Sequence, residues 1–143
     1  MAIYRFYHPI EVRYGDLDPQ GHLNNAKYMT FMEQARIQYV KHLGLWGGES
    51  FLDIGIILAE ARITFLAPIQ FGDSVMAGAR VSHLGNKSLE MEYTLEDAHN
   101  SREFASGSSI LVAFNYRARQ SIPLPEAWRT AISTFENIPA FSN

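Results

Sequence analysis

The strongest periodicity in the chain runs from Asn25 to Leu43, where apolar residues recur at helical spacing. At about 100° per residue, Tyr28, Phe31, Met32, Ala35 and Tyr39 line one face, and Met29, Val40 and Leu43 widen it to roughly half the circumference. Lys27, Thr30, Gln34, Gln38 and Lys41 take the other side. So broad an apolar arc predicts a mostly enclosed helix, as when a curved sheet wraps it. Gly44 follows in the position of a C-cap glycine.

Strand-like segments flank this helix. Tyr7 to Tyr14 reads as a strand before it. Ile56 to Leu66, ending at Pro68, and Ser74 to Leu84, starting after Gly72-Asp73, read as strands after it. Ser88 to Glu96 alternates cleanly: Leu89, Met91, Tyr93 and Leu95 against Glu90, Glu92, Thr94 and Glu96, a half-buried strand with one wet face. Gly85-Asn86 reads as a tight hairpin turn before it. Phe104 to Asn115 is a further strand, entered through the polar turn Ala98 to Ser101. A short second helix begins near Pro125, with Trp128, Ile132 and Phe135 at i, i+4 and i+7. One strand, a long helix, then four strands in apparent hairpin succession predict an α+β fold with a mainly antiparallel sheet around one helix. No repeat or linker divides the chain, so residues 1–143 are expected to form a single domain.

Composition narrows the function classes. Nine Phe, seven Tyr and 47% apolar residues fit a packed globular domain and exclude disorder. A net charge of −3 gives no support to a nucleic-acid or anionic-membrane binder. Cysteine is absent, which removes disulfides, thiolate catalysis and Cys-ligated metals. The opening residues hold no signal-peptide apolar region, and no apolar run approaches the ~18 residues of a spanning helix. A soluble, cytoplasmic protein is the expectation.

The chemistry-bearing residues concentrate between Arg13 and Tyr28: Asp16, Asp18, Gly21, His22, Asn24 and Asn25 lie between a strand and a helix start. A carboxylate beside a helix N-terminus couples a base or nucleophile to N–H donors able to stabilise an oxyanion. Asp16 to Gly21 also resembles the opening of a calcium loop, but Lys27 occupies the position that needs a bidentate Glu. His8, His22, His42, His83 and His99 are dispersed with no His-x-x-x-His pair, so no metal is expected. Gly72-Asp-Ser-Val-Met76 fails the serine nucleophile pattern, and Ser106, Ser108 and Ser109 read as small packing residues. Asp18 and Asp16 each suit a turn-forming carboxylate, and Asn24 suits a helix N-cap. Glu33 and Arg36 are spaced for an intrahelical pair near the apolar face.

Tyr14-Gly-Asp-Leu-Asp-Pro-Gln-Gly-His-Leu-Asn-Asn-Ala-Lys-Tyr28, followed by Phe31-Met-Glu-Gln-Ala-Arg36, resembles the hot-dog-fold acyl-CoA thioesterases of the 4-hydroxybenzoyl-CoA thioesterase-like branch. Phe65 to Asp73 and Leu84 to Ser88 resemble later landmarks of that branch, in the same order, over about Tyr7 to Tyr116. The resemblance implies a five-stranded antiparallel sheet around a central helix. It also implies a homodimer or homotetramer with interfacial active sites, and no cofactor beyond the coenzyme A of the substrate. It places the catalytic carboxylate on Asp18 and the carbonyl-polarising N–H at Asn25. Gly21 would let the chain turn closely around the reacting group, and His22 and Asn24 are candidates for orienting Asp18 or water. Tyr28 is a substrate-contacting candidate, Lys87 and Ser88 match the nucleotide-contacting turn, and Arg117 and Arg119 are further contacts for the phosphates of coenzyme A. A hot-dog enoyl-thioester hydratase or dehydratase, and a non-catalytic acyl-CoA-binding module, are the competing readings.

Overall fold

The computed structural model describes residues 3–141. Strand β1 (Tyr7–Ile10) precedes helix α1 (Asn25–His42). Strands β2 (Ile56–Phe65), β3 (Val75–Leu84), β4 (Ser88–Asp97) and β5 (Glu103–Asn115) follow, then the two-residue β6 (Gln120–Ser121) and helix α2 (Glu126–Glu136). The main antiparallel sheet has the order β1-β3-β4-β5-β2, and β6 adds to the end of β5. The α+β architecture read from the sequence is therefore present.

Two expectations change. The first strand is shorter than Tyr7 to Tyr14: pairing stops at Ile10, opposite Val75, and Tyr14–Asp16 forms a 3-10 turn. The Asp16 carboxylate accepts the Arg13 N–H at 3.0 Å, and that bond bends the chain out of the sheet. The four later strands are also not a simple succession of hairpins. β3, β4 and β5 are, but β2 pairs with β5 at the far edge. Its connection to β3 therefore crosses the sheet, anchored by the fully buried Ile69, whose carbonyl accepts the Leu23 N–H at 2.7 Å. Alternation reports each strand's faces but not its neighbours.

α1 packs on the sheet face that carries Ile63, Tyr93 and Gly107, three residues on one rung. Gly107 permits the closest approach, since a Cβ there would lie 2.6 Å from Met32 Sδ and 3.0 Å from the Arg62 carbonyl. Tyr28, Phe31, Met32, Ala35, Tyr39 and Val40 are buried as the wheel predicts, each contributing about 1.5–3 kcal/mol for a large side chain. Thr30, Gln34 and Lys41 stay exposed, so one side of α1 is open to water rather than enclosed. Arg36 is buried with them: it pairs with Glu33 at 3.3 Å and donates to the Tyr93 hydroxyl at 3.2 Å. That hydroxyl also meets Ser109 Oγ at 2.6 Å, which gives the serine a buried partner. Thr94, on the face expected to be wet, is fully buried, and its hydroxyl donates to Glu103 at 2.8 Å.

Strand β2 is the long edge of the sheet, and its outer side is unpaired among the described residues. Ile57 and Leu58 are exposed on it, as are Phe65 and Leu66 where it ends. Among the described residues no helix is long and apolar enough to cross a membrane.

Candidate active site

The loop before α1 is built from its own polar side chains. Asp16 is only 2% exposed. Besides the Arg13 N–H, its carboxylate meets the Arg13 guanidinium at 3.5 Å and Lys27 Nζ at 3.7 Å. Burial alone would raise its pKa, but the Arg13 hydrogen bonds and the two cations outweigh that and hold it below the usual carboxylate value. Its backbone carbonyl accepts the Asn24 N–H at 2.9 Å, tying the turn to the helix start.

Two residues on, Asp18 closes a tight turn. Its Oδ1 accepts the N–H groups of Gln20 at 2.9 Å and His22 at 3.1 Å, and its backbone N–H donates to the His22 carbonyl at 2.7 Å. Oδ2 has no hydrogen-bond partner among the described residues. Gly21 sits at φ +79°, where a side chain is strained, while a Cβ there would meet nothing within 4 Å. The backbone angle, rather than crowding, requires glycine at this position.

Asn24 is the N-cap of α1: its side-chain oxygen accepts the Ala26 N–H at 2.9 Å. Asn25 opens the helix, and its N–H has no acceptor among the described residues. An unpaired N–H at this helix end carries the positive pole of the helix dipole.

Asp18, His22, Asn25 and Tyr28 come together in one cleft of about 290 Å³. Its opposite wall is Phe65, Leu66, Ala67 and Pro68, where the chain leaves β2. Phe65 is 50% and Leu66 53% exposed, so this wall presents apolar surface to the cleft mouth. The Tyr28 hydroxyl donates to the Ala67 carbonyl and accepts the Ile69 N–H, both at 3.3 Å, and its ring meets Phe65 edge-on at 4.9 Å. Burial raises the Tyr28 pKa; the Ile69 N–H opposes that shift and the charge of Asp18 adds to it. Tyr28 therefore stays protonated at neutral pH and fastens the β2 exit to the helix. No group of three or more His, Asp or Glu residues able to hold a metal ion is present among the described residues.

The remaining candidates lie elsewhere. Gly21 and Asn24 border the loop without lining the cleft, and the Asn24 side chain is occupied by its capping bond. Lys87 sits in the β3–β4 turn, Ser88 opens β4, and Arg117 and Arg119 lie in the β5–β6 turn, at the end of the sheet where β2 begins. The cleft lies where β2 ends, about 30 Å away along a ten-residue strand. Arg117 is ion-paired with Asp53, and Arg119 adopts φ +58°. The apolar wall from Phe65 to Pro68 was not assigned to the site from sequence. Those residues were visible as a strand ending, but nothing local shows that they face Asp18.

The family model described as the thioesterase-like superfamily matches residues 12–132. A thioesterase from Thermus thermophilus, solved in complex with coenzyme A and Zn, is 34% identical with a TM-score of 0.83, over 97% of this chain and 100% of that one. A 1,4-dihydroxy-2-naphthoyl-CoA hydrolase of Synechococcus elongatus is 28% identical over 88% of this chain and 92% of its own length. The long-chain acyl-CoA thioesterase FadM of Escherichia coli is 28% identical over 61% of this chain and 67% of its own. The chain belongs to the thioesterase-like superfamily, among its hot-dog-fold acyl-CoA thioesterases.

Proposed function

We propose that this acyl-CoA thioester hydrolase works through Asp18, with the Asn25 N–H as the carbonyl-polarising donor. The observation that carries the reading is their meeting in one cleft: a carboxylate with one oxygen, and a helix-terminal N–H, both without a hydrogen-bond partner among the described residues. The thioester carbonyl oxygen sits on the Asn25 N–H, where the helix dipole favours the negative charge that develops during attack. As general base, Asp18 takes a proton from water while the oxygen of that water bonds to the carbonyl carbon. The C–S bond then breaks, the acid is released, and the thiolate leaves and is protonated. As nucleophile, Asp18 itself bonds to the carbonyl carbon and expels the thiolate, and water then cleaves the resulting anhydride.

The working form is a homodimer. β2 presents a ten-residue unpaired edge with exposed apolar side chains, the kind of edge that single chains otherwise blunt. Antiparallel pairing of two such edges sets the beginning of β2 in one copy beside its end in the other. The same pairing brings Lys87, Ser88, Arg117 and Arg119 of a second copy toward the cleft and supplies cations for the phosphates of coenzyme A. His22 lines the same cleft, and in this reading it orients water beside Asp18. The named relatives act on an aromatic and on long-chain acyl groups, so the acyl preference has to be read from turnover.

Thiol release from a panel of short, medium, long and aryl acyl-CoAs tests the reading, with wild type compared against Asp18→Asn. Release that collapses in the variant supports it; full turnover in the variant, with no deamidation back to Asp, sinks the Asp18 role. Loss of enoyl absorbance without thiol release would identify a hydratase, and intact ligand binding with neither signal a binding module.

A further inference from the structure

The β3–β4 turn is held from behind by a residue outside the thioesterase motifs. Arg129 of α2 is 3% exposed. Its Nη2 donates to the Gly85 carbonyl at 2.6 Å and the Asn86 carbonyl at 2.8 Å, and Nη1 donates to the Ala140 carbonyl at 2.8 Å. The ring of Phe141 covers the guanidinium at 4.3 Å. Arg129 has no carboxylate partner among the described residues, so its acceptors are backbone carbonyls. A buried arginine of this kind is costly, and an apolar side chain would stabilise the same helix contact at lower cost. Its planar guanidinium holds those two carbonyls from one nitrogen and the Ala140 carbonyl from the other, a span that the single ammonium nitrogen of a lysine does not match.

The grip fixes the direction of the turn. Asn86 O also accepts the Leu124 N–H at 3.0 Å, and Lys87 O accepts the Ala113 N–H at 2.8 Å. The Gly85 and Asn86 carbonyls therefore point toward the buried Arg129, and the Lys87 carbonyl is taken up by the neighbouring strand β5. In a trans peptide the N–H lies opposite the C=O of the same unit, so the Asn86 and Lys87 N–H groups point outward. Neither donates a hydrogen bond among the described residues. The Gly85 N–H donates to Ser88 O at 2.7 Å, while the Gly85 carbonyl accepts from Arg129 and, among the described residues, not from the Ser88 N–H that would close the hairpin. The result is a turn with two amides unpaired among the described residues, an exposed Lys87 and a buried positive charge behind it, an arrangement suited to an anion.

We propose that Arg129 is a positioning residue for nucleotide recognition: it orders the Gly85-Asn86-Lys87 turn so that these donors receive a phosphate of coenzyme A. The proposal rests on the reading that this turn meets the nucleotide end of the substrate. The test compares wild type, Arg129→Met, Arg129→Lys and Lys87→Ala. Each is assayed with the preferred acyl-CoA and with the pantetheine thioester of the same acyl group, and coenzyme A is titrated calorimetrically in parallel.

In Arg129→Met, KM for the acyl-CoA should rise about tenfold with little change in kcat, and the pantetheine thioester should show no change. The Kd for coenzyme A should rise in step, and Arg129→Lys should fall between. Equal effects on both thioesters, or none on either, would overturn the proposal, with Arg129→Lys deciding if Arg129→Met does not fold. Lys87→Ala separates the two ideas. A nucleotide-selective loss there, with Arg129 variants unaffected, keeps the reading of the turn and removes Arg129. The reverse keeps Arg129 acting through the backbone amides and removes the Lys87 side chain.

Discussion

Asp16 and Asp18 stand two residues apart in one loop, yet the fold uses them in opposite ways. The Asp16 carboxylate is buried, takes a backbone hydrogen bond and faces two cations, and its pKa is held low. Asp18 spends one oxygen on the turn, and among the described residues its other oxygen and the Asn25 N–H on the same cleft have no hydrogen-bond partner. A carboxylate saturated by partners shapes a loop; one left half-satisfied is available for chemistry. The residue type is the same, and what differs is how many of its lone pairs the protein has claimed.

Substitutions that remove charge but keep shape sharpen this contrast. Asp18→Asn retains the Oδ1 acceptor for the Gln20 and His22 amides and loses only the charge. It should lower kcat by about 10²- to 10⁴-fold, the range of a general acid–base contribution, with little effect on a urea melt. Asp16→Asn should do the reverse and destabilise by about 1–3 kcal/mol in urea titrations, because a buried charge-assisted network loses its anion. The exposed Arg13 guanidinium supplies little of that, being screened by water. If Asp16→Asn abolished turnover while leaving the melt untouched, the division of labour proposed for the two residues would be wrong.

Asn24→Ala probes the junction between the two carboxylates and the helix. Removing the cap should cost about 1 kcal/mol in denaturant titration, with a smaller fall in activity through a frayed Asn25. The subtlest effect is on pH. Because the folded state lowers the Asp16 pKa, the stabilisation this group contributes is present above the ordinary carboxylate pKa of about 3.9 and is lost as pH falls through the lower folded value. Melts of wild type should therefore drop more steeply than those of Asp16→Asn below about pH 4. Parallel curves would show that Asp16 gains nothing from its partners.

Much of this was legible along the chain. The α1 face, its C-terminal Gly44 and the strand at Ser88 depend on local periodicity and local capping, which adjacent residues encode. The gathering of Asp18, His22 and Asn25 was legible for the same reason, since a short loop keeps them close. The β2–β5 pairing was not, because strand alternation carries no information about which edge a strand joins. Neither was the burial of Thr94, nor the wall from Phe65 to Pro68, which comes to share a cleft with Asp18 only in the folded sheet.

Local sequence dictated an α+β domain with its polar chemistry gathered ahead of one long amphipathic helix, since helical spacing and turn residues act over a few positions. Three-dimensional packing decided which of two neighbouring carboxylates is buried among cations and which opens on a cleft. It also decided that an arginine more than 40 residues along the chain grips the β3–β4 turn. Burial and hydrogen-bond partners are set by residues distant in sequence, and those exist as neighbours only once the sheet has closed its register.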